Sequence, residues 1–317
     1  MKLLITRDLP NKVLNAAREK FDVTYRQEPT GLTPQEATWA LQDFDAVLPT
    51  LGDAFSAQVF GNADKIRCKV LANFGVGYNH IDIEAARKAG VKVTNTPDAV
   101  TNATADIGMT LLLSVARRAG EGERIVRAGQ WHGWAPTQML GTHVTGKTVG
   151  IVGMGRIGQA VARRCHYGFD MPVLFYNRSK KHSNVPAKQV KTLTDLMAQS
   201  DFVVVTVPGG AQTHHLIDAQ AIAAMKSTGF LINIARGDVI DEEVLIAALQ
   251  TGQIAGAGLD VYAQEPHVPE ALRALENAVL LPHLGTAAMD VREEMGMMAL
   301  GNVIAMSEGR PLPQDLG

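Results

Sequence analysis

The sequence predicts an α/β protein built on two parallel sheets, and three observations carry that prediction. Short β-branched runs alternate with helix-like apolar spacing from one end of the chain to the other. In the second half the runs, such as Phe202-Val203-Val204-Val205, are apolar throughout, as strands covered on both faces are. At 317 residues the chain is too long for one average domain and long enough for two, each with its own core.

The first series places strands near residues 3–5, 23–25, 46–48, 70–73 and 92–94. Between them, residues 11–21 and 33–42 carry the apolar spacing of helices. Thr33-Pro34-Gln35-Glu36 reads as a helix start, with a capping hydroxyl, proline at the first position and an acid in the first turn. A long apolar helix with polar ends follows at 102–118, then a loop containing Trp131-His132-Gly133-Trp134-Ala135-Pro136. The second series has strands near 148–152, 173–176, 202–205, 231–234, 257–259 and 279–281. Residues 289–308 form a Met-rich helix whose methionines suit core filling.

Composition narrows the function classes. Hydrophobic residues are 46% and charged residues 20%, with a net charge of −2, which fits a globular chain rather than a disordered one. The densest basic cluster is Lys180-Lys181-His182, so the sequence predicts no nucleic-acid partner and no membrane-surface binding. The opening Met1-Lys2-Leu3-Leu4-Ile5 is too short for the apolar region of a signal peptide, and runs such as 109–116 fall short of a membrane span. Cys68 and Cys165 show no metal-ligand spacing and read as buried thiols of a reducing, cytoplasmic compartment, with no metal expected.

The first motif with chemistry in it is Val149-Gly150-Ile151-Val152-Gly153-Met154-Gly155-Arg156-Ile157-Gly158, a Gly-x-Gly-x-x-Gly that follows a buried strand and opens a helix. Gly153 permits the tight turn, Gly155 lets backbone N–H groups approach a pyrophosphate, and Gly158 lets helix and strand pack closely. The anion is then held on the helix N-terminus, with Arg156 and Ile157 in its first turn. Asn177 stands 19 positions after Gly158, where an NAD-preferring fold carries an acid for the ribose 2′-hydroxyl. That acid is absent and Arg178, Ser179 and Lys180 follow, groups able to bind a 2′-phosphate. The expectation is NADP, with NADPH preferred and NAD as a second cofactor.

Three further motifs end apolar strands: Asn233-Ile234-Ala235-Arg236-Gly237, Gly258-Leu259-Asp260-Val261-Tyr262-Ala263-Gln264-Glu265-Pro266, and Leu281-Pro282-His283-Leu284-Gly285-Thr286. Singly, Arg236 reads as a surface cation, Glu265 as a turn residue and His283 as a core histidine. In a parallel sheet, however, the carboxyl ends of strands form the ligand crevice, and three such residues delivered there converge. With these motifs, with Phe74-Gly75-Val76-Gly77-Tyr78-Asn79-His80-Ile81-Asp82, Val93-Thr94-Asn95-Thr96-Pro97 and Asn102-Ala103-Thr104-Ala105-Asp106, the chain resembles the D-isomer-specific 2-hydroxyacid dehydrogenases from about residue 73 to 310. Within that family it is most similar to the glyoxylate/hydroxypyruvate reductases.

The resemblance implies two Rossmann-like or flavodoxin-like domains: a cofactor domain at 99–288 inserted into a substrate domain made of 1–98 and 289–317. It implies that Arg236 grips the substrate carboxylate with a bidentate fork. His283 would act as general acid towards the carbonyl oxygen, and Glu265 would orient it and favour its charged form. Val76, Gly77 and Leu51 would bind substrate alongside Arg236 and His283. Thr104, Pro208, Ile234, Asp260, His283 and Gly285 would line the cofactor, with Asp260 at the nicotinamide carboxamide. Homodimerisation through the cofactor domain, including an arm at 120–141, is implied as well. The chain departs from hydroxypyruvate-preferring members at Gln138, where they carry Trp, so the preferred 2-oxo acid is left open. Formate dehydrogenases share the fold but pair the histidine with Gln, against which Glu265 argues. A dinucleotide-sensing corepressor can retain the same triad and stays an alternative, although no basic or disordered tail supports it.

Overall fold

Every pairing between strands is parallel, as crossover helices require. The computed structural model describes all 317 residues. They divide into two compact units, Met1–Val100 with Thr286–Gly317, and Thr101–Gly285.

The first unit holds β1 (Lys2–Ile5), β2 (Asp22–Tyr25), β3 (Ala46–Leu48), β4 (Val70–Ala72) and β5 (Lys92–Thr94), in the order β2-β1-β3-β4-β5. This is the flavodoxin-like order, in which the chain reverses direction across the sheet beside β1. Leu4, Val47, Leu71 and Val93 from four of these strands share one core with Leu41 and Phe55. The helix Pro34–Asp43 starts as the sequence predicts: Thr33 accepts from the Glu36 N–H and the Glu36 carboxylate accepts from the Thr33 N–H. The C-terminal helix Met289–Ser307 returns to this unit and packs on the helix Asn11–Arg18 and on β3 and β4. Gly296 lies so close to Val13 that a Cβ would stand 2.5 Å from its Cγ2.

The second unit holds β6 (Val149–Val152), β7 (Val173–Tyr176), β8 (Ala187–Gln189), β9 (Phe202–Val205), β10 (Phe230–Asn233), β11 (Gly256–Leu259) and β12 (Ala278–Leu280). Their order is β12-β11-β10-β9-β6-β7-β8, the doubly wound dinucleotide-binding arrangement, with its switch point between β6 and β9. Strands β6, β9, β10 and β11 are buried along their whole length. Val152, Val203, Val205 and Leu231 belong to one core and Val149, Ile151, Phe202, Val204 and Ile232 to another, as alternation between two covered faces requires. The apolar helix Thr101–Ala116 packs against β10, β11 and the helix Arg156–Phe169.

Strand β8 is not foreshadowed by the sequence. Ala187-Lys188-Gln189 contains a single apolar residue because it forms the sheet edge, where neither face is fully covered. Burial pushes both cysteine thiols up to about 12, so Cys68 and Cys165 stay protonated and inert in the cores. No helix is long and apolar enough to cross a membrane.

Candidate active site

Between β6 and the helix Arg156–Phe169 the chain turns through Gly153, at φ +99°, where a Cβ would meet Val207 Cγ1 at 2.8 Å. At Gly158 a Cβ would stand 2.1 Å from the Gly153 carbonyl oxygen, so helix and turn touch only because no side chain intervenes. Nothing lies within 4 Å of the position a Gly155 Cβ would take. The helix has no side-chain cap and no acid in its first turn, which Arg156 and Ile157 begin. The open space at Gly155 and the positive end of the helix dipole suit a pyrophosphate. Thr206 supports the turn, its hydroxyl donating to the Gly153 carbonyl at 2.6 Å.

Asn177, where an acid is missing, accepts from the Met154 N–H at 3.3 Å and donates to the Ser179 carbonyl at 3.2 Å. It therefore joins the glycine turn to the end of β7. Arg178 and Ser179 are exposed beside it, and Arg178 donates to Gln212. Pro208 is exposed at the loop after β9, its carbonyl accepting from the Thr213 hydroxyl at 2.7 Å.

Arg236, Glu265 and His283 follow β10, β11 and β12, which are neighbours in the sheet. Asn233, buried at the end of β10, sets the first turn: its side chain donates to the Arg236 carbonyl at 2.9 Å and accepts from the Ala235 N–H at 3.0 Å. Gly237 then passes directly over Tyr262, where a Cβ would stand 1.9 Å from the carbonyl carbon. That close approach brings the Arg236 turn against the segment that carries Glu265. Burial pushes the Arg236 guanidinium down from its ordinary value, with the charges of Glu265 and Asp238 opposing.

His283 Nδ1 lies 2.7 Å from Glu265 Oε2, and Glu265 Oε1 accepts from the Tyr262 N–H at 3.1 Å. Burial acts to raise the Glu265 carboxyl, but the hydrogen bond and charge of His283, the Tyr262 N–H and Arg236 outweigh it. The carboxyl is held below the usual range and is ionised at neutral pH. Because the ionised carboxylate accepts from the Nδ1–H, Nε2 is the ring nitrogen left for a ligand.

The His283 turn rests on Asp260. The Asp260 carboxylate accepts from the N–H groups of Leu284 at 2.6 Å and Gly285 at 2.8 Å, and its carbonyl accepts from the His283 N–H at 3.0 Å. Burial raises the Asp260 carboxyl, against those two N–H groups and the His283 charge. Each carboxylate oxygen keeps a lone pair for a further donor. Thr104 and Gly285 stand together beside Asp260, since a Gly285 Cβ would be 3.2 Å from Asp260 Oδ2 and 3.5 Å from Thr104. Ile234, also buried, packs its Cδ1 2.9 Å from the position of a Gly108 Cβ. Tyr262 ties the ends of β11 and β12, its hydroxyl donating to the Leu281 carbonyl at 2.9 Å.

In the first unit, the loop after β4 has its carbonyls turned inward. Asn73 donates to the carbonyls of Gly75 and Gly77, both at 3.0 Å, and Asn95 donates to that of Val76 at 2.9 Å. Within this unit no acceptor takes the N–H groups of Val76 or Gly77, which suits them to an anion. Arg292, half-buried, lies over the Phe74 ring at 5.8 Å, and burial alone pushes its guanidinium down. Leu51 is 47% exposed on a neighbouring loop of the same unit. The sequence did not single out Asn73, Asn95, Asn233, Tyr262 or Arg292. An asparagine at the end of an apolar strand, as at 73 and 233, was the available signal.

Residues 109–285 match the model of the D-isomer specific 2-hydroxyacid dehydrogenase NAD binding domain. A glyoxylate reductase of Thermococcus gammatolerans is 43% identical, over 98% of this chain and 94% of that protein. One from Pyrococcus horikoshii is 42% identical over the same shares. Among solved structures, a protein of Thermus thermophilus superposes with a TM-score of 0.93 at 40% identity, covering 100% of both chains. An NADPH-dependent glyoxylate/hydroxypyruvate reductase of Sinorhizobium meliloti, in complex with NADP and malonate, has a TM-score of 0.89 at 32% identity. That likeness covers 100% of this chain and 96% of the other.

Two glycines separate packing from ligand approach. Gly237→Ala should lower the unfolding free energy by about 1–3 kcal/mol in urea titrations, because the added methyl overlaps backbone. Gly155→Ala should leave stability within about 0.5 kcal/mol of wild type. It should instead raise the dinucleotide Kd roughly tenfold, about the loss of one charge-assisted hydrogen bond. Equal destabilisation by both changes would contradict this division of roles.

Proposed function

The chain belongs to the D-isomer-specific 2-hydroxyacid dehydrogenases, and from that premise we propose that it reduces small 2-oxo acids, glyoxylate and hydroxypyruvate among them, using NADPH in preference to NADH. The observation that carries the reading is the 2.7 Å contact of His283 with Glu265, placed with Arg236 at three adjacent strand ends. The names of the Thermococcus and Pyrococcus relatives, and the NADP bound to the Sinorhizobium enzyme, support the substrate and cofactor sides of it.

When bound, a reduced nicotinamide would be the source of the hydride that reaches the carbonyl carbon. Arg236 binds the substrate carboxylate through paired N–H groups and draws electron density from the carbonyl, an effect strengthened by its burial. His283 gives its Nε2 proton to the carbonyl oxygen, so that C=O becomes CH–OH, and the imidazole is left neutral. Its partial exposure gives it a route to solvent for reprotonation. Glu265 accepts from the Nδ1–H throughout and keeps the ring oriented for the transfer. Unit Thr101–Gly285 is the cofactor domain in this reading, and Asp260, Thr104, Pro208, Ile234 and Gly285 belong to its nicotinamide side. In the other unit, the N–H groups of Val76 and Gly77 are the donors for a carboxylate, with Leu51 as a further substrate contact.

We also infer a homodimer. The helix Ala119–Arg127 buries none of its residues, and Val126, Trp131, Trp134 and Leu140 are left exposed on one stretch of chain. Solvated apolar groups in such number mark an interface.

The direct test is kcat/KM for glyoxylate, hydroxypyruvate, pyruvate and phenylpyruvate with each of NADPH and NADH. Glyoxylate or hydroxypyruvate should turn over, with NADPH favoured by roughly tenfold or more, as a charge-assisted phosphate contact gives. Equal rates with NADH would refute the 2′-phosphate reading, and no turnover with any of the four would favour a sensor. Light scattering should give the mass of two chains, lowered to one by Trp134→Asp; a monomeric wild type would remove the dimer.

A further inference from the structure

The loop at 177–181 is shaped from outside by two glutamines. Gln189, on the edge strand β8, donates from Nε2 to the carbonyls of Asn177 at 3.2 Å and Ser179 at 3.0 Å. Its Oε1 accepts from the Lys181 N–H at 3.2 Å, so one side chain holds three backbone groups of the loop. With those carbonyls tied down, the N–H groups of Arg178 and Ser179 have no acceptor within their unit. Gln212 comes from the loop after β9, and its Oε1 accepts from Arg178 Nη1. Thr213 fixes that loop, its hydroxyl donating to the carbonyls of Pro208 at 2.7 Å and Gly210 at 3.1 Å. The Ile217 N–H bonds the Val239 carbonyl at 3.0 Å and anchors the loop's far end.

We propose that Gln189 and Gln212 are positioning residues for discrimination between NADP and NAD: Gln189 sets the loop so that two N–H groups and the Ser179 hydroxyl face a 2′-phosphate, and Gln212 holds the Arg178 guanidinium beside them. The proposal rests on the NADPH reading above. An amide suits position 212 for an electrostatic reason. It accepts one guanidinium proton without neutralising the cation, and four N–H groups of Arg178 remain for the phosphate. A carboxylate there would pair with Arg178 and place a negative charge next to the ligand's own. At 189 the two donated bonds need an amide nitrogen, which neither Glu nor Leu supplies.

The test is calorimetric binding of adenosine 2′,5′-bisphosphate and of 5′-AMP, ligands that differ only in the 2′-phosphate, to wild type, Gln212→Glu and Gln189→Leu. Wild type should bind the bisphosphate roughly tenfold or more tightly than 5′-AMP. Gln212→Glu should bring that ratio close to one while leaving 5′-AMP affinity within about twofold, an outcome that loss of structure would not produce. Gln189→Leu should shrink the ratio likewise. Gln212 is exposed, so its variant keeps the test valid even if the edge strand tolerates the change at Gln189 poorly. A wild-type ratio near one would overturn the NADPH reading and this proposal with it. A large wild-type ratio kept intact in Gln212→Glu would overturn the proposal alone.

Discussion

Asp260 is a carboxylate only 2% exposed, and a charge removed from water is unfavourable by several kcal/mol unless hydrogen bonds replace its hydration. Here the replacement is the backbone of the His283 turn. Two N–H groups bond the carboxylate and a third bonds the Asp260 carbonyl, which fixes residues 283–285 against the end of β11. Those bonds also hold His283 at φ +55°, a left-handed conformation that costs a side-chain-bearing residue about 1–2 kcal/mol. The strain aims the ring at Glu265, which is itself fixed by the Tyr262 N–H. Arg236 reaches the same region because Gly237 lets two backbones touch. Without the buried carboxylate the histidine would have no reason to keep its direction, and the other two residues would have nothing to converge on.

A second device recurs at two of the candidate anion sites. Where a loop must offer N–H groups to a ligand, an amide side chain takes its carbonyls: Asn73 and Asn95 at Gly75–Gly77, and Gln189 at Asn177 and Ser179. Asn and Gln suit this because their NH2 group makes two donations at once. The donors presented are then neutral backbone dipoles, which bind an anion without adding a titratable charge.

Much of this was legible in the sequence. Uninterrupted apolar runs announced strands covered on both faces, and β6, β9, β10 and β11 are such strands. The glycine turn could be read because each glycine has a local reason, and Arg236, Glu265 and His283 because each ends a strand. What escaped were features set by tertiary contact. Strand β8 has too few apolar residues to show a period. Asp260 was read as a cofactor ligand, and its bonds to a turn 24 and 25 residues away are invisible without the fold. Gln189 and Gln212 look like ordinary surface amides until the sheet brings β7, β8 and the loop after β9 together. Strand ends differ from the expected positions by a residue, as at β10 and β12, although Ile234 and Leu281 still donate across the sheet to Val205 and Leu259.

Glu265 holds the proton donor in place. Its carboxylate is ionised across the neutral range and accepts from His283 Nδ1, which leaves Nε2 for the carbonyl oxygen in the proposed reaction. The measurement is kcat and KM in each direction on wild type and on Glu265→Leu, which keeps the bulk and removes the hydrogen bond. The kcat should fall roughly tenfold or more in both directions, with the KM of the 2-oxo acid within about threefold of wild type. An unchanged kcat in the variant would contradict the account and reduce Glu265 to packing beside Pro266.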